Sequence, residues 1–218
     1  MIGFLRRCVA GLFMAATMAS AALAEQEPQI AGEYRATDSF EMYRGLLLRP
    51  DGTFAYALSV GALDQRSSGT WTQQGNTFDL VTTPKPVPPE FAQVEAAKGG
   101  GAPFLAVMWP NGRGIAGIDV TLGCEGQEPL YDYTQEDGWS PPSGACARPL
   151  WVQLAEPVHD IRSPRFTIET VASGLRFVLQ PNSFGVIDLT GARGVVTGDR
   201  LVFHFDGRED DFVRIAPL

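Results

Sequence analysis

Residues 104–154 read FLAVMWPNGRGIAGIDVTLGCEGQEPLYDYTQEDGWSPPSGACARPLWVQL, and this stretch decides the fold class. Apolar and polar residues alternate in IDVTL (118–122) and in LWVQL (150–154), which is the period of a half-buried β-strand. The turn-forming residues PNG (110–112) and DG (137–138) separate the strand-like runs. The stretch therefore predicts short antiparallel strands joined by turns.

The order of these elements resembles that of a known family. A strand, the run NGRGIAGIDVTL (111–122), a TQEDG turn (134–138) and another strand follow one another. This order resembles the carboxypeptidase regulatory-like or transthyretin-like β-sandwich, a member of the wider immunoglobulin-like group. The resemblance implies an antiparallel β-sandwich over residues 104–158, and the insertion SPPSGACA (140–147) departs from the usual pattern. The residues that carry the resemblance are Gly112, Ile115, Gly117, Val120, Leu122, Thr134, Asp137 and Gly138.

Residues 25–86 predict an N-terminal β-meander. LLLRPDGTFAYALSV (46–60) is two strands joined by a PDG turn, and GTWTQQGNTFDLV (69–81) repeats the plan around Gly-Asn. These hairpins resemble small lipocalin-like β modules of exported bacterial proteins. Residues 87–103, which contain Pro-Pro and three successive glycines, are the predicted linker, either extended or with a short helix.

Strand-like runs continue through residues 159–218 and predict C-terminal strands that pack on the preceding modules. They include FGVIDL (184–189) and LVFHFDG (201–207). GVVTGDRLVF (194–203) echoes GTWTQQGNTFDL (69–80), either as a true repeat or through the shared chemistry of β-turns. A true repeat would let the two ends pair into one barrel with the sandwich inserted. The predicted fold class is therefore all-β, a sandwich with flanking meander or barrel-like strands.

Residues 1–24 have the features of a secretory signal peptide. Arg6 and Arg7 precede an alanine-rich apolar run that ends in Ala22-Leu23-Ala24. Cleavage there leaves 194 residues with 15 basic and 25 acidic side chains, since both arginines leave with the peptide. The predicted location is the periplasm or the medium, without membrane insertion after cleavage. The acidic balance argues against nucleic acid as a partner, because that binding needs Lys and Arg on phosphates.

Cys124 and Cys146 are the cysteines that remain after signal cleavage, in a compartment where disulfides persist. A bridge would close a loop of about 23 residues and stabilise the fold by roughly 3 kcal/mol. The alternative is two buried free thiols. A zinc site would need further Cys or His ligands nearby, so no metal is predicted.

The residue types give little support to catalysis. His159 and His204 are the two histidines, and neither lies in a metal-binding H-E-x-x-H spacing or beside a G-x-S-x-G elbow. GRGIAG (112–117) matches a dinucleotide loop in letters, but a strand follows where that loop needs a helix. No cofactor is predicted, and a non-enzymatic role is favoured.

Tyr131, Tyr133 and Trp139 are the candidate binding residues, because aromatic faces pack well against sugars and peptides. Trp139 follows a DG turn, where we expect it to be exposed as a binding anchor. The first hypothesis is therefore a non-enzymatic exported binding or interaction module of the cell envelope. Its expected partner is an envelope protein or glycan; the oligomeric state is not defined by the sequence.

Two other functions stay open. One is a hydrolase or accessory domain for envelope glycan or peptide, with carboxylates such as Glu41, Asp64 or Asp137 in the chemistry. The other is a carrier of a small apolar ligand, which requires a closed barrel with a cavity inside.

Overall fold

The computed structural model describes residues 29–37, 41–95, 103–169 and 174–217, and its regular structure is β-strand. The all-β prediction is confirmed. Within the described ranges, no helix is long and apolar enough to cross a membrane. The predicted signal peptide lies outside the described residues.

Sixteen strands run through this part of the chain, and positive-φ glycines form the predicted hairpin turns. Gly52 (φ 81°) lies in the PDG turn and Gly75 (φ 61°) in the Gly-Asn turn, where side-chain-bearing residues are strained. The strands are β1 (Gly32–Ala36), β2 (Met42–Leu48), β3 (Thr53–Val60), β4 (Leu63–Gln74), β5 (Thr77–Thr82), β6 (Glu90–Val94), β7 (Leu105–Met108), β8 (Asp119–Cys124), β9 (Leu130–Tyr133), β10 (Pro149–Glu156), β11 (Ile161–Arg162), β12 (Phe166–Thr167), β13 (Leu175–Gln180), β14 (Arg193–Thr197), β15 (Arg200–Phe205) and β16 (Arg208–Pro217).

Strands from both ends of the chain close one eight-stranded barrel, in the order β1-β16-β15-β14-β5-β4-β3-β2. β1 pairs with both β2 and β16, and β5 pairs with β14. Where β5 pairs with β14, the guanidinium of Arg193 donates two hydrogen bonds to the carboxylate of Asp79, at 2.8 and 3.1 Å. The two ends therefore belong to one barrel, which is the arrangement that the sequence left open.

Large side chains fill the interior of this barrel. Alternation along each strand turns one set of side chains inward, as the period of two predicts. The hydroxyl of Tyr34 donates to the carbonyl of Ile30 (2.6 Å) and accepts from Arg214 (2.6 Å), and burial raises the pKa of Tyr34. An eight-stranded barrel holds packed side chains or one small ligand, and here the side chains occupy the space. The buried cluster is Ile30, Tyr34, Leu46, Leu48, Phe54, Tyr56, Phe78, Leu80, Leu189, Ala192, Val196, Leu201, Phe203 and Phe212.

The described residues within 90–180, called the insert below, lie between β5 and β14 and form two smaller sheets. One has the order β11-β10-β8-β9 with β12 also paired to β10, and the other has the order β6-β13-β7. Both sheets contribute to one hydrophobic core. β13 runs parallel to β7, a pairing that the predicted antiparallel sandwich does not contain. The core includes Phe91, Leu105, Val107, Ile118, Val120, Leu122, Trp139, Val152, Leu154, Leu175, Phe177 and Leu179.

The observed units have other boundaries than the predicted modules. The predicted linker, residues 87–103, contains β6, which pairs with β13. The predicted C-terminal set, residues 159–218, is divided, because β11, β12 and β13 belong to the insert and β14, β15 and β16 to the barrel. These pairings join residues far apart in sequence, so local turn signals do not reveal them.

The run FGVIDL (184–189) is a correction to the predicted strands. It forms only an isolated bridge, between Val186 and Arg66 of β4. Phe184 packs on the core of the insert, whereas Ile187 and Leu189 pack on the core of the barrel. The alternation that resembles a strand therefore comes from a segment that crosses between two cores.

Cys124 at the end of β8 is bonded to Cys146 in the loop before β10, with Cα atoms 5.7 Å apart. The predicted disulfide is confirmed. The disulfide joins the loop 140–147 to β8, which is one of the strands of the face described next.

Candidate binding face

One face of the sheet β11-β10-β8-β9 is exposed to solvent, while the opposite face lies on the core of the insert. Val120 and Leu122 of β8 and Val152 and Leu154 of β10 are almost completely buried. Because side chains alternate along a strand, their neighbours point outward. We call the outward side the tyrosine face; its residues are Asp119, Thr121, Tyr131, Tyr133, Gln153, Ala155 and Arg162.

Strand register arranges this face in two rows. Tyr133, Asp119, Ala155 and Arg162 are successive partners across β9, β8, β10 and β11. Tyr131, Thr121 and Gln153 form the neighbouring row in the same way. Strand geometry sets the rows about 7 Å apart and makes the longer row roughly 14 Å wide.

The face forms an open cleft of about 500 Å³. Cavities of about 300–1,000 Å³ hold most small ligands of proteins. Hydroxyl, carboxylate, amide and guanidinium groups stand beside two aromatic rings in this cleft. Such a mixture can orient a ligand by hydrogen bonds while the rings provide contact area.

Tyr131 and Tyr133 are the most exposed aromatic part of this face. The exposed fraction is 76% for Tyr131 and 55% for Tyr133. Both belong to β9, which is an edge strand of its sheet, and both project from the same side of it. Tyr131 and Tyr133, which the sequence predicts as binding residues, thus lie on the surface; their role in binding stays a prediction.

Trp139 is a correction, because the expected exposure is wrong. Only 7% of it is exposed, and its ring meets Phe104 edge to face at 6.0 Å. The backbones of Leu105 and Trp139 exchange two hydrogen bonds, of 2.9 and 2.7 Å, which draw the turn onto the core. That long-range pairing overrides the usual exposure of a residue after a DG turn.

Trp139 nevertheless contacts the tyrosine face from below. Its indole Nε1–H donates to Oδ2 of Asp132 at 2.7 Å, and Oδ1 of Asp132 accepts from the backbone N–H of Tyr133 at 2.9 Å. One carboxylate thus links the core to the backbone of β9. Trp139 is a positioning residue in this arrangement, with its ring in the core.

Trp151 lies at the end of the same face, in register with Gly123 of β8. Any Cβ at position 123 would overlap the indole ring, so the glycine allows the ring to lie against the strand. The guanidinium of Arg165 covers the indole at 4.0 Å from its centroid, a cation–π contact. Trp151 is therefore covered by protein, and the open part of the face lies on the side of the tyrosines.

The polar residues of the face were not identified from the sequence. Asp119, Thr121, Gln153 and Arg162 are ordinary surface residue types, and only the alternation in IDVTL and LWVQL places the first three outward. Their gathering around the tyrosines depends on the pairing of β8 with both β9 and β10. That pairing is not encoded in any local pattern.

Two of these polar groups have partners within the protein. Nε2 of Gln153 donates to the carbonyl of Ser163 at 3.0 Å, and Nε of Arg162 donates to Oδ1 of Asp160 at 3.0 Å. These bonds restrict both side chains on the surface of the sheet. Restricted side chains lose less conformational entropy when a ligand binds.

The other candidate residues lie elsewhere. Glu41 and Asp64 belong to the barrel, and Asp137 to the turn after β9, so these carboxylates do not line the tyrosine face. His204 is on the outer side of β15, 3.5 Å from Glu209, as alternation predicts. The described part of the chain contains no group of three or more His, Cys, Asp or Glu placed to hold a metal ion.

His159 lies at the junction between the insert and the barrel. Its Nδ1 is 3.0 Å from Oε2 of Glu156, its Nε2 is 3.4 Å from the carbonyl oxygen of Asp64, and its ring packs on Phe184 at 4.2 Å. These contacts join the β10–β11 turn to β4 and to the segment that returns to the barrel. The surroundings are those of a structural histidine.

In comparisons with known proteins, no family model, curated protein or solved structure matches the chain. The resemblances to transthyretin-like and lipocalin-like domains therefore stay predictions.

Proposed function

We propose that this protein is a non-enzymatic, exported binding module of the cell envelope, and that the tyrosine face is its ligand site. The observation that carries the proposal is a pair of exposed tyrosines on a sheet, within a cleft of about 500 Å³ that polar side chains complete. A large exposed aromatic pair is costly to leave in water, and such patches commonly mark interaction sites.

The rigidity of the sheet supports a binding role. β8 is paired on both sides, the disulfide holds its end, and Asp132 links β9 to Trp139. A site on a rigid sheet pays little conformational entropy on binding.

Export is supported by two independent features. Residues 1–24 have the composition of a signal peptide, and the disulfide between Cys124 and Cys146 fits an oxidising compartment. Periplasmic or secreted location is therefore part of the proposal.

The alternative functions find less support. The carboxylates considered for hydrolysis do not line the cleft of the tyrosine face, whereas acid–base chemistry at one bond needs two of them together at the ligand. The interior of the barrel is packed with aromatic and aliphatic side chains, whereas a carrier needs room for its ligand.

The test is retention of the purified protein on immobilised envelope material, with a glycan fraction and a protein fraction assayed separately. We expect retention on at least one fraction, lost in the double variant Tyr131→Ala, Tyr133→Ala. Tyr43→Ala is the matched control, because Tyr43 is an exposed tyrosine (41%) on β2 of the barrel. Equal retention of the double variant and the unmodified protein would refute the assignment of the site.

A further inference from the structure

We infer that the ligand of the tyrosine face is an uncharged oligosaccharide whose sugar rings stack on Tyr131 and Tyr133. This inference rests on the proposed binding function and specifies its ligand. It follows from the size of the face, the sign of its charges and the type of its polar groups.

Size favours a short chain of sugar rings over a protein. The two rows span about 14 by 7 Å between Cα atoms by strand geometry and contain seven residues. A stable protein–protein interface uses about 20–30 residues on each partner. The face is therefore several times too small for a protein partner on its own, whereas its cleft of about 500 Å³ suits a small ligand.

Charge favours an uncharged ligand. Asp119 lies in the cleft beside Tyr133, and Arg162 at the other end of the same row is bonded to the carboxylate of Asp160. An anionic polymer would meet the two carboxylates, and a cationic one would meet the guanidinium. Neither an anionic nor a cationic polymer therefore meets a surface of opposite charge along its length.

The aromatic groups suit a sugar ring. A pyranose presents C–H bonds on its flat faces, and weakly positive hydrogens are attracted to the negative face of an aromatic ring. Tyr131 and Tyr133 project from one side of β9, with their Cα atoms about 7 Å apart. Successive rings of an extended oligosaccharide can therefore meet successive tyrosines.

The polar groups suit sugar hydroxyls, each of which both donates and accepts. Asp119 accepts, Arg162 donates, and Thr121 and Gln153 can do both. Asp119 and Thr121 lie on β8, the strand next to the tyrosines, whereas Gln153 lies one strand further, on β10, and Arg162 lies at the far end of the longer row, on β11. A ligand that stacks along β9 would direct the hydroxyls at its ring edges toward Asp119 and Thr121, and a longer or branched ligand would reach Gln153 and Arg162.

The test is isothermal titration calorimetry on the full chain, purified after expression with its own leader. The probes are cellohexaose, laminarihexaose, maltohexaose and fully N-acetylated chitohexaose, with a galacturonic acid hexamer as the anionic control. We expect at least one neutral probe to bind, and each of Tyr131→Ala and Tyr133→Ala to weaken it on the order of tenfold. Tyr131→Phe should keep affinity within about threefold, because it retains the ring. Tyr43→Ala should leave affinity unchanged.

The outcomes separate this inference from the function on which it rests. No binding of any neutral probe at millimolar concentration overturns the saccharide inference, and so does tighter binding of the galacturonic acid hexamer. Retention on the envelope protein fraction that still depends on the two tyrosines would then leave the binding function standing. Saccharide binding that neither Tyr131→Ala nor Tyr133→Ala weakens would overturn the inference, because the ligand would then bind elsewhere.

Discussion

Alanine at position 123 is expected to displace the indole of Trp151 from the tyrosine-face sheet. Gly123 and Trp151 are partners across β8 and β10, and a Cβ on Gly123 would lie far inside van der Waals contact of Cε2 and Nε1 of the indole. The indole must then move away, and its cation–π contact with Arg165 is lost. Overpacking of this kind costs about 1–3 kcal/mol, which for a chain of this length lowers Tm by roughly 3–10 °C.

The effect of Gly123→Ala on stability should change sign once the indole of Trp151 is absent. Gly123 does not have a positive φ, so alanine fits its backbone. Replacing glycine by alanine where the backbone permits it stabilises a protein by about 0.4–1 kcal/mol. In a Trp151→Ala background, Gly123→Ala should therefore be neutral or slightly stabilising.

Urea and thermal unfolding of the four proteins in this double-mutant cycle measure the coupling. We expect Gly123→Ala to lower Tm in the presence of Trp151 and to leave it equal or higher in its absence. An equal fall in both backgrounds would refute the reasoning, because the cost would then come from the strand itself and not from the overlap with the ring.

Three further predictions follow from other contacts. Replacing both cysteines of the disulfide by serine should lower the free energy of unfolding by roughly 3 kcal/mol, measured by urea titration; unchanged stability would show that the loop is ordered without the bridge. Hydrogen bonds from Arg193 hold the pKa of Asp79 below its usual range, so this pair stabilises the barrel above the unfolded pKa of about 3.9 and ceases to do so as pH falls through the lower folded pKa. Arg193→Gln should thus be slightly less stable than the unmodified protein at about pH 7, with the difference vanishing near pH 2 in urea titrations; a difference that persists there would contradict the assignment. Trp139→Phe replaces the buried indole by a smaller ring and removes the donor to Asp132, so we expect a loss of about 1–3 kcal/mol in unfolding and weaker saccharide binding in calorimetry; unchanged affinity would show that this hydrogen bond does not position β9.

The strands and turns of the barrel could be predicted because their signals are local. LLLRPDGTFAYALSV (46–60) forms β2 and β3 around Gly52, and the alternating residues Phe54 and Tyr56 point into the core. A period of two and a turn glycine are properties of a few consecutive residues. The disulfide was also predictable, because the choice of partner is forced when two cysteines remain.

The candidate site was predictable only in part. Tyr131 and Tyr133 were singled out as aromatic residues and lie on the surface, but Trp139 was expected beside them and is buried. Its position depends on the hydrogen bonds that its backbone exchanges with Leu105, 34 residues earlier in the chain. The DG turn that precedes it is compatible with either position.

The sequence alone indicated that this chain is all-β, where its main turns lie, and which two cysteines could pair. Only the tertiary structure decided that the two ends close one barrel, that the described residues within 90–180 form an insert, and that Asp119, Thr121, Gln153 and Arg162 share one face with the tyrosines. Alternation tells which side of a strand is polar, but it does not tell which strand is the neighbour. That choice depends on hydrogen-bond ladders and core packing between residues far apart in sequence, and the composition of the tyrosine face is a consequence of it.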